Sequence, residues 1–265
     1  MTDPDALTPP AVDPAVYDEE YFRTCCGDAD AWEQRRDVDG IYAYALELLG
    51  VDASTTLVDL GSGRGELVVA ALKRGAPRAI GVEYSPDAVR LAHDTASAHD
   101  LDDRAEFREG DIRATGLDPA IADRAAMLDV VEHLTGPELA DALVEARRLL
   151  RPGGRILVHT MPNRLIYDAT YRWLRRLWPR GRRWPADPRN EFEHAMHVGE
   201  LSARQLEAAL VTAGFADVDV RHGELVYFAF VPSRIAQRLL GALDRVPALR
   251  RLTRANLLAT ATRPA

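Results

Sequence analysis

The chain is predicted to be an α/β protein, built on a mostly parallel, doubly wound sheet with helices on both faces. Three observations carry this expectation. Short apolar runs recur along the first 160 residues, each of a length suited to a buried strand. Stretches with helical spacing alternate with them. Glycine or proline punctuates the junctions.

From Tyr17 to Leu49 the pattern is helical, with Ile41, Ala45, Leu48 and Leu49 at helical spacing before Gly50. Thr56 to Leu60 then reads as a buried strand running into a tight turn at Gly61. Glu66 to Arg74 is helical and ends at Gly75. Arg78 to Glu83 is a second strand, and Ser85 is placed to cap a helix that has Pro86 at its first position. A third strand falls near Ala105 to Glu109 and a fourth at Ala125 to Val130. A helix follows from about Pro137 to Leu150, and Arg155 to Thr160 is the fifth strand. After Pro162 the rhythm breaks into an arginine- and tryptophan-rich stretch, Asn163 to Gly199. Ser202 caps a further helix, Ala203 to Ala213. Strand candidates return at Asp217 to Arg221, Leu225 to Val231 and Leu257 to Thr262, with a basic amphipathic helix at Ile235 to Leu243.

The 265 residues accommodate one large domain carrying an insertion. An apolar fraction of 47% and a charged fraction of 28% are those of a folded globular chain. The net charge of -8 argues against broad nucleic-acid binding while leaving room for a local basic patch. No apolar run approaches the roughly 20 residues of a membrane span. The acidic, proline-rich start is the opposite of a signal peptide. It predicts a disordered leader over residues 1–16, ahead of a single domain at 17–265 with a lid-like insertion at about 163–200. Cys25 and Cys26 are adjacent, so a disulfide between them would be strained and would close no loop. A reduced, cytoplasmic chain is expected.

Glycines at the end of the first strand, in Val58-Asp59-Leu60-Gly61-Ser62-Gly63-Arg64-Gly65, let the backbone turn sharply and approach a ligand. A dinucleotide fingerprint requires glycine at the third position after Gly63, where this chain has Glu66. Acid there would face pyrophosphate, which a helix N-terminus otherwise attracts. A phosphate-free, positively charged ligand tolerates it.

The spacing Asp59-x-Gly61-x-Gly63-x-Gly65 resembles the first motif of class I S-adenosylmethionine (SAM)-dependent methyltransferases, of the type 11/12-like kind, with distant similarity to ubiquinone-biosynthesis O-methyltransferases. The resemblance runs over roughly residues 17–215 and implies a Rossmann-like fold with a seven-stranded sheet. It implies that Asp59, Gly61, Ser62, Gly63 and Gly65 form the cofactor loop. Glu83 would accept hydrogen bonds from the ribose hydroxyls, and Tyr84 would cover the adenine. Asp111 would bond the adenine amino group, with Ile112 against the ring. Leu128, in the fourth-strand motif Met127 to Leu134, would offer its backbone to the methionine part. Leu149-Leu150-Arg151-Pro152-Gly153-Gly154-Arg155 resembles the turn before the fifth strand. Tyr21 and Phe22 resemble the segment that closes over SAM in many relatives; packing of the first helix explains them equally.

Methyl transfer is an in-line displacement at a sulfonium, so the protein mainly supplies alignment and water exclusion. An oxygen acceptor also needs a base near the methyl group. His133 is the first candidate, because an unperturbed histidine titrates near pH ~6.5. Asp129 is the second, as base or orienting group. The same Asp-x-x-Glu-His sequence would serve equally to cap and pack the next helix. Asp129, Glu132, His133 and His197 together resemble the metal-binding sets of ubiquinone-biosynthesis enzymes and small-RNA 3′-terminal ribose methyltransferases. Asp129 replaces the first glutamate of those sets, and many metal-free relatives share Glu-His. No metal ligand is therefore assigned, and a divalent ion is the less favoured reading.

The insertion carries Arg172, Trp173, Arg175, Arg176, Trp178, Arg180, Arg182, Arg183 and Trp184, and Arg234, Arg238, Arg245, Arg250, Arg251 and Arg254 continue the theme. It suits a lid with an aromatic wall, a patch for an anionic acceptor, or peripheral contact with a membrane; arginine stems covering a helix pair account for it equally. The expected activity is methyl transfer to a small, hydrophobic or lipid-like biosynthetic acceptor, at oxygen. The alternatives are a divalent-metal-assisted RNA ribose 2′-O-methyltransferase, against which the absence of any stacking module weighs, and a non-catalytic SAM-binding or partner protein.

Overall fold

Val58, Leu57 and Leu60 are wholly removed from solvent, which is the fate of a strand covered on both faces. They belong to β1 (Thr56–Leu60). In the computed structural model, which describes residues 7–24, 41–223 and 231–265, it is the third strand of a seven-stranded sheet. The other strands are β2 (Arg78–Glu83), β3 (Ala105–Glu109), β4 (Ala122–Leu128), β5 (Leu150–Thr160), β6 (Ala216–His222) and β7 (Leu257–Thr262). Their order is β3-β2-β1-β4-β5-β7-β6. The first five run parallel, and β7 is antiparallel to both β5 and β6. The sheet is therefore mostly parallel, as expected.

The chain travels outward from β1 to β3 and returns on the other side of β1 as β4. That reversal opens a crevice beyond the carboxyl ends of β1 and β4. Helices line both faces, and alternate residues of each strand divide between two cores. Val58, Ile80, Met127 and Val158 pack under α5 (Gly136–Leu149) and α8 (Ala203–Thr212). Leu57, Ala79, Ala126 and Leu157 pack under α2 (Ile41–Leu49) and α3 (Glu66–Lys73). α4 (Pro86–Ala98) begins as anticipated, with the Ser85 hydroxyl accepting from the Ala88 amide and Pro86 in the first turn. The remaining helices are α1 (Glu19–Thr24), α6 (Arg172–Leu177), α7 (Glu191–Met196) and α9 (Arg234–Asp244). No helix among the described residues is long and apolar enough to cross a membrane.

Three expectations change. The fourth strand ends at Leu128 rather than Val130, because Asp129 turns left-handed at φ 54°. The fifth begins at Leu150 rather than Arg155, since Leu150 pairs with Ala122 ahead of the Pro152-Gly153-Gly154 turn. The expected helix over Tyr17 to Leu49 is seen as α1 and α2, and the residues between them, with Cys25 and Cys26, lie outside the described residues. So does the strand candidate at Leu225 to Val231, except for Val231.

From residue 7 the segment expected as a leader makes contacts with the domain. The Ala11 amide donates to Glu138, Arg113 donates to the Thr8 carbonyl, and Val12 is buried with Tyr17 and Phe22. Its prolines, which limit the freedom of the unfolded chain, lower the cost of that ordering.

Candidate cofactor and active site

Beyond the β1–β4 crevice lies a cavity of about 620 Å³, a size typical of small-molecule sites. One end is the loop after β1. Gly61, Gly63 and Gly65 all have positive φ, at 81°, 48° and 79°, a backbone that side chains strain to adopt. At two of them space is also excluded: a Cβ on Gly61 would meet Val130 at 2.5 Å, and one on Gly65 would meet Phe107 at 2.6 Å. The sequence needs these glycines for the turn itself.

Glu83, at the end of β2, holds the loop in place. Its carboxylate accepts from the amides of Gly63 (3.0 Å), Tyr84 (2.9 Å) and Ser85 (3.0 Å). Burial nonetheless raises its proton affinity against those three bonds. Asp59 is buried, and its Oδ1 has no hydrogen-bond partner among the described residues. Desolvation, then the neighbouring Glu83 and Glu66, push its carboxyl well above the usual range. Ser62 is buried beside it with an equally unpartnered hydroxyl. Glu66 pairs with the buried Arg64 at 2.6 Å, and Arg64 also donates to the Phe22 carbonyl. Asp111 is held by Arg113, whose Nη2 lies 2.6 Å from Oδ2. Ile112, Leu128 and Tyr84 line the same cavity. Every cofactor residue expected from sequence is thus brought to one cavity except Gly65, whose place is structural, behind the loop.

The N-terminal segment forms one wall of the cavity. Tyr21 and Phe22 of α1 line the cavity, and Tyr21 stacks edge-on against both Phe22 and Tyr17 with ring centres 5.1 Å apart. Tyr17, which sequence reasoning passed over, is the residue that reaches the opposite end. Its hydroxyl lies 2.9 Å from His133 Nδ1, and its carbonyl accepts from the Ser85 hydroxyl. The four-residue spacing of Tyr17 and Tyr21 was the available signal.

The other end of the cavity follows β4. His133 Nδ1 also lies 3.2 Å from the Met196 carbonyl, at the end of α7. A carbonyl only accepts, so this contact places the proton on Nδ1 and leaves Nε2 as the basic nitrogen. Burial, followed by the His197 ring 5.0 Å away, lowers the His133 pKa to about 4, so the imidazole is neutral at pH ~7. Asp129 remains half exposed, and its Oδ1 lies 2.8 Å from Nδ1 of the buried His159, although the ring N–H is not aligned on that oxygen. Asn256 Nδ2 donates to His159 Nε2 at 3.1 Å, which leaves the ring proton on the Asp129 side. His159 and Asn256 went unnoticed in the sequence. A histidine closing the apolar run Ile156 to Val158 was the only cue.

Glu132 lines the same cavity but is engaged from β5. It accepts from the Thr160 hydroxyl at 2.8 Å and from the Met161 amide, and burial then Asp129 raise its pKa strongly. Asp129, Glu132, His133 and His197 are neighbours but do not converge as a ligand set. No group of three or more such residues suited to a metal occurs among the described residues. The insertion is docked at this end through Gly199, whose amide donates to the Glu132 carbonyl. His197 lines the cavity; His194 does not.

These residues fit SAM. A buried carboxylate oxygen without a partner, raised by like charges, suits a ligand bearing sulfonium and ammonium groups. The close glycine backbone admits it, and the two arginines that line the cavity, Arg64 and Arg113, are engaged by Glu66 and Asp111. Comparison with known proteins agrees. Residues 57–154 match the methyltransferase-domain family. A curated relative, the 27-O-demethylrifamycin SV methyltransferase of Amycolatopsis mediterranei, is 30% identical over 109 residues, covering 41% of this chain and 39% of that protein. The chain spans 23% to 55% of the length of the first curated relatives it matches. The fold is shared with the methyltransferase bound to the Haloferax volcanii Trm112 activator (TM-score 0.62, 19% identity, covering 94% of this chain and 99% of that one). It is also shared with the geranyl diphosphate C-methyltransferase of Streptomyces coelicolor (TM-score 0.58, 19% identity, 84% and 74%). The glycine loop and the acidic strand ends thus lie within residues 57–154, the part of the chain that matches the methyltransferase-domain family, on a sheet whose fold is shared with the methyltransferases above.

Proposed function

We propose that this chain transfers a methyl group from SAM to a small, hydrophobic acceptor at oxygen. The observation that carries this reading is the continuity of one cavity, from the acidic glycine cradle to the paired polar groups Asp129 and His133. The bound cofactor supplies an electrophilic methyl on sulfonium. Glu83 and Asp111 would take the sugar and base, the latter through lone pairs left over from Arg113. Asp59, Ser62 and the Gly61–Gly65 backbone would hold the amino-acid part beside Leu128. Tyr21, Tyr84 and Ile112 would exclude water.

His133 or Asp129 would receive the acceptor's proton. A hydroxyl becomes far more acidic as its oxygen gains a bond to carbon, so even a base of pKa about 4 suffices once the bond is forming. The half-exposed Asp129 carboxylate would orient the hydroxyl. The hydrophobic character of the acceptor is supported by the names of the rifamycin and geranyl diphosphate enzymes above and by the aromatic wall.

The test is calorimetric titration with S-adenosylhomocysteine, then radiolabelled methyl transfer to a panel of hydroxylated apolar compounds. Glu83→Ala is expected to weaken the nucleoside by roughly tenfold to a hundredfold, the range for hydrogen bonds to a charged group. Gly63→Val would remove binding. An unliganded protein at millimolar nucleoside, or full affinity in the double variant, overturns the proposal.

A further inference from the structure

Two helices away from the cavity repeat one pattern. In α6, Arg172-Trp173-Leu174 is followed four residues later by Arg176-Leu177-Trp178. In α9, Arg234-Ile235-Ala236 is followed by Arg238-Leu239-Leu240. Helical geometry stacks residues four apart on one face, so each triplet presents the same three directions twice. The third residues turn inward: Leu174, Trp178, Ala236 and Leu240 share one apolar cluster with Val231 and Trp184. The first and second residues stay in water. Trp173 and Leu177 are 62% and 73% exposed, and Ile235 and Leu239 are 65% and 52% exposed. Arg172, Arg176, Arg234 and Arg238 are exposed as well, and none forms an ion pair among the described residues.

The charge of these segments runs against that of the chain. Residues 164–183 and 234–254 hold thirteen arginines against two acids, in a protein of net charge -8. The rest of the molecule is correspondingly acidic and is repelled by an anionic surface, so only this region can approach one. The apolar residues decide the kind of surface. Leu177, Ile235 and Leu239 have no π face on which a base could stack, so they add nothing to an RNA site. Beside arginines whose stems can lie along apolar material while the guanidinium stays wet, they match the lipid–water boundary.

We propose that the outer faces of α6 and α9 form an interfacial surface that docks on an anionic phospholipid bilayer, the tryptophan and aliphatic side chains entering the headgroup region and the arginines pairing with lipid phosphates. The chain continues from α6 to α7, whose last residue, Met196, holds the base His133 at the cavity. A membrane-resident acceptor would therefore arrive beside the roof of the site. The inference rests on the hydrophobic-acceptor reading only for that last step; the docking itself does not depend on catalysis.

The test is co-sedimentation of the full chain with vesicles of phosphatidylcholine alone, and of equal parts phosphatidylcholine and phosphatidylglycerol, at low and high salt. Binding is expected to the anionic vesicles only, to weaken with salt, and to shift tryptophan emission to the blue by an amount largely lost in Trp173→Phe. Each arginine among the four changed to Gln is expected to weaken binding roughly fivefold. Changing Trp173, Leu177, Ile235 and Leu239 to Ser should abolish binding; Trp173→Ser with Ile235→Ser is the milder variant if the fourfold change does not fold. Absence of vesicle binding overturns the proposal. So does binding that survives the serine changes, or equal retention of wild type and serine variant on polyuridylate, which would mark a general polyanion site. Titration with S-adenosylhomocysteine accompanies each variant and is expected to be unchanged. Its failure in the wild type would sink the cofactor reading and leave the vesicle result standing.

Discussion

His133 carries its burial as a measurable property. With a folded pKa of about 4 against 6.5 when unfolded, it is neutral and proton-accepting throughout the neutral range. Activity is thus expected to show no inflection near pH ~6.5 from this residue, which a pH profile of kcat and an NMR titration of the imidazole would check. Stability carries the opposite signature. The unfolded chain binds the proton first, so stability attributable to His133 is lost as pH falls from 6.5 toward 4, by about 2 kcal/mol between roughly pH 7 and 5. His133→Gln should flatten that slope in urea titrations across the same range. At Asp129 the prediction concerns turnover. Asp129→Asn should lower kcat by roughly a hundredfold or more with little change in SAM affinity. His159→Phe should cost less in rate, because it keeps the Asp129 carboxylate and removes only its neighbour. An equal loss of SAM affinity in both variants would make Asp129 part of the cofactor site instead. At this scale the glycine loop proposed as the cofactor cradle was legible, and the proposed reacting end only half so. A glycine spacing follows from backbone geometry and survives in one dimension. The partnership of Tyr17 with His133 spans 116 positions and has no local trace.

Among the elements, the strands and helices around β1 followed from periodicity, because both faces are buried and apolar residues recur without interruption. Boundaries moved where a single residue left the pattern, as Asp129 does. The insertion was legible as composition alone. Its anchor is a contact that the sequence does not announce: a Cβ on Gly199 would fall 1.8 Å from the Leu134 carbonyl oxygen, an impossible approach. Gly199→Ala should therefore displace the end of the insertion and loosen the Met196 contact to His133. The expected result is a several-fold drop in kcat/KM together with faster proteolysis between residues 185 and 200, while S-adenosylhomocysteine affinity holds within about twofold. Unaltered kinetics would mean that the roof is not positioned through this glycine. The contacts of the leader are equally silent in the sequence. Its composition is that of a disordered segment, but Glu138, which also accepts from the Thr135 amide and hydroxyl at the start of α5, and Arg113 supply ready-made partners for its backbone.

Across the whole molecule, two cores divided by one sheet make the cavity a rim rather than a hole. The stability of the fold and the chemistry of the rim are therefore separable. Leu143→Ala, under the sheet and fully buried, should cost about 2 to 5 kcal/mol in chemical denaturation. Saturating nucleoside should restore about 2.7 kcal/mol at a hundred times its dissociation constant. A Leu143→Ala protein that failed to gain this increment would show that the core and the rim are coupled.

The buried guanidinium of Arg64 has a mechanical consequence. It grips the Phe22 carbonyl on the N-terminal wall and the Glu66 carboxylate on the cradle at once. Swinging that wall aside strips one of those partners from a cation sealed off from water, and the same movement takes the Tyr17 hydroxyl away from His133. Each departure of spent nucleoside by that door would work against a restoring pull that favours reclosure, and the proton acceptor would regain its full set of neighbours only once the latch had fallen.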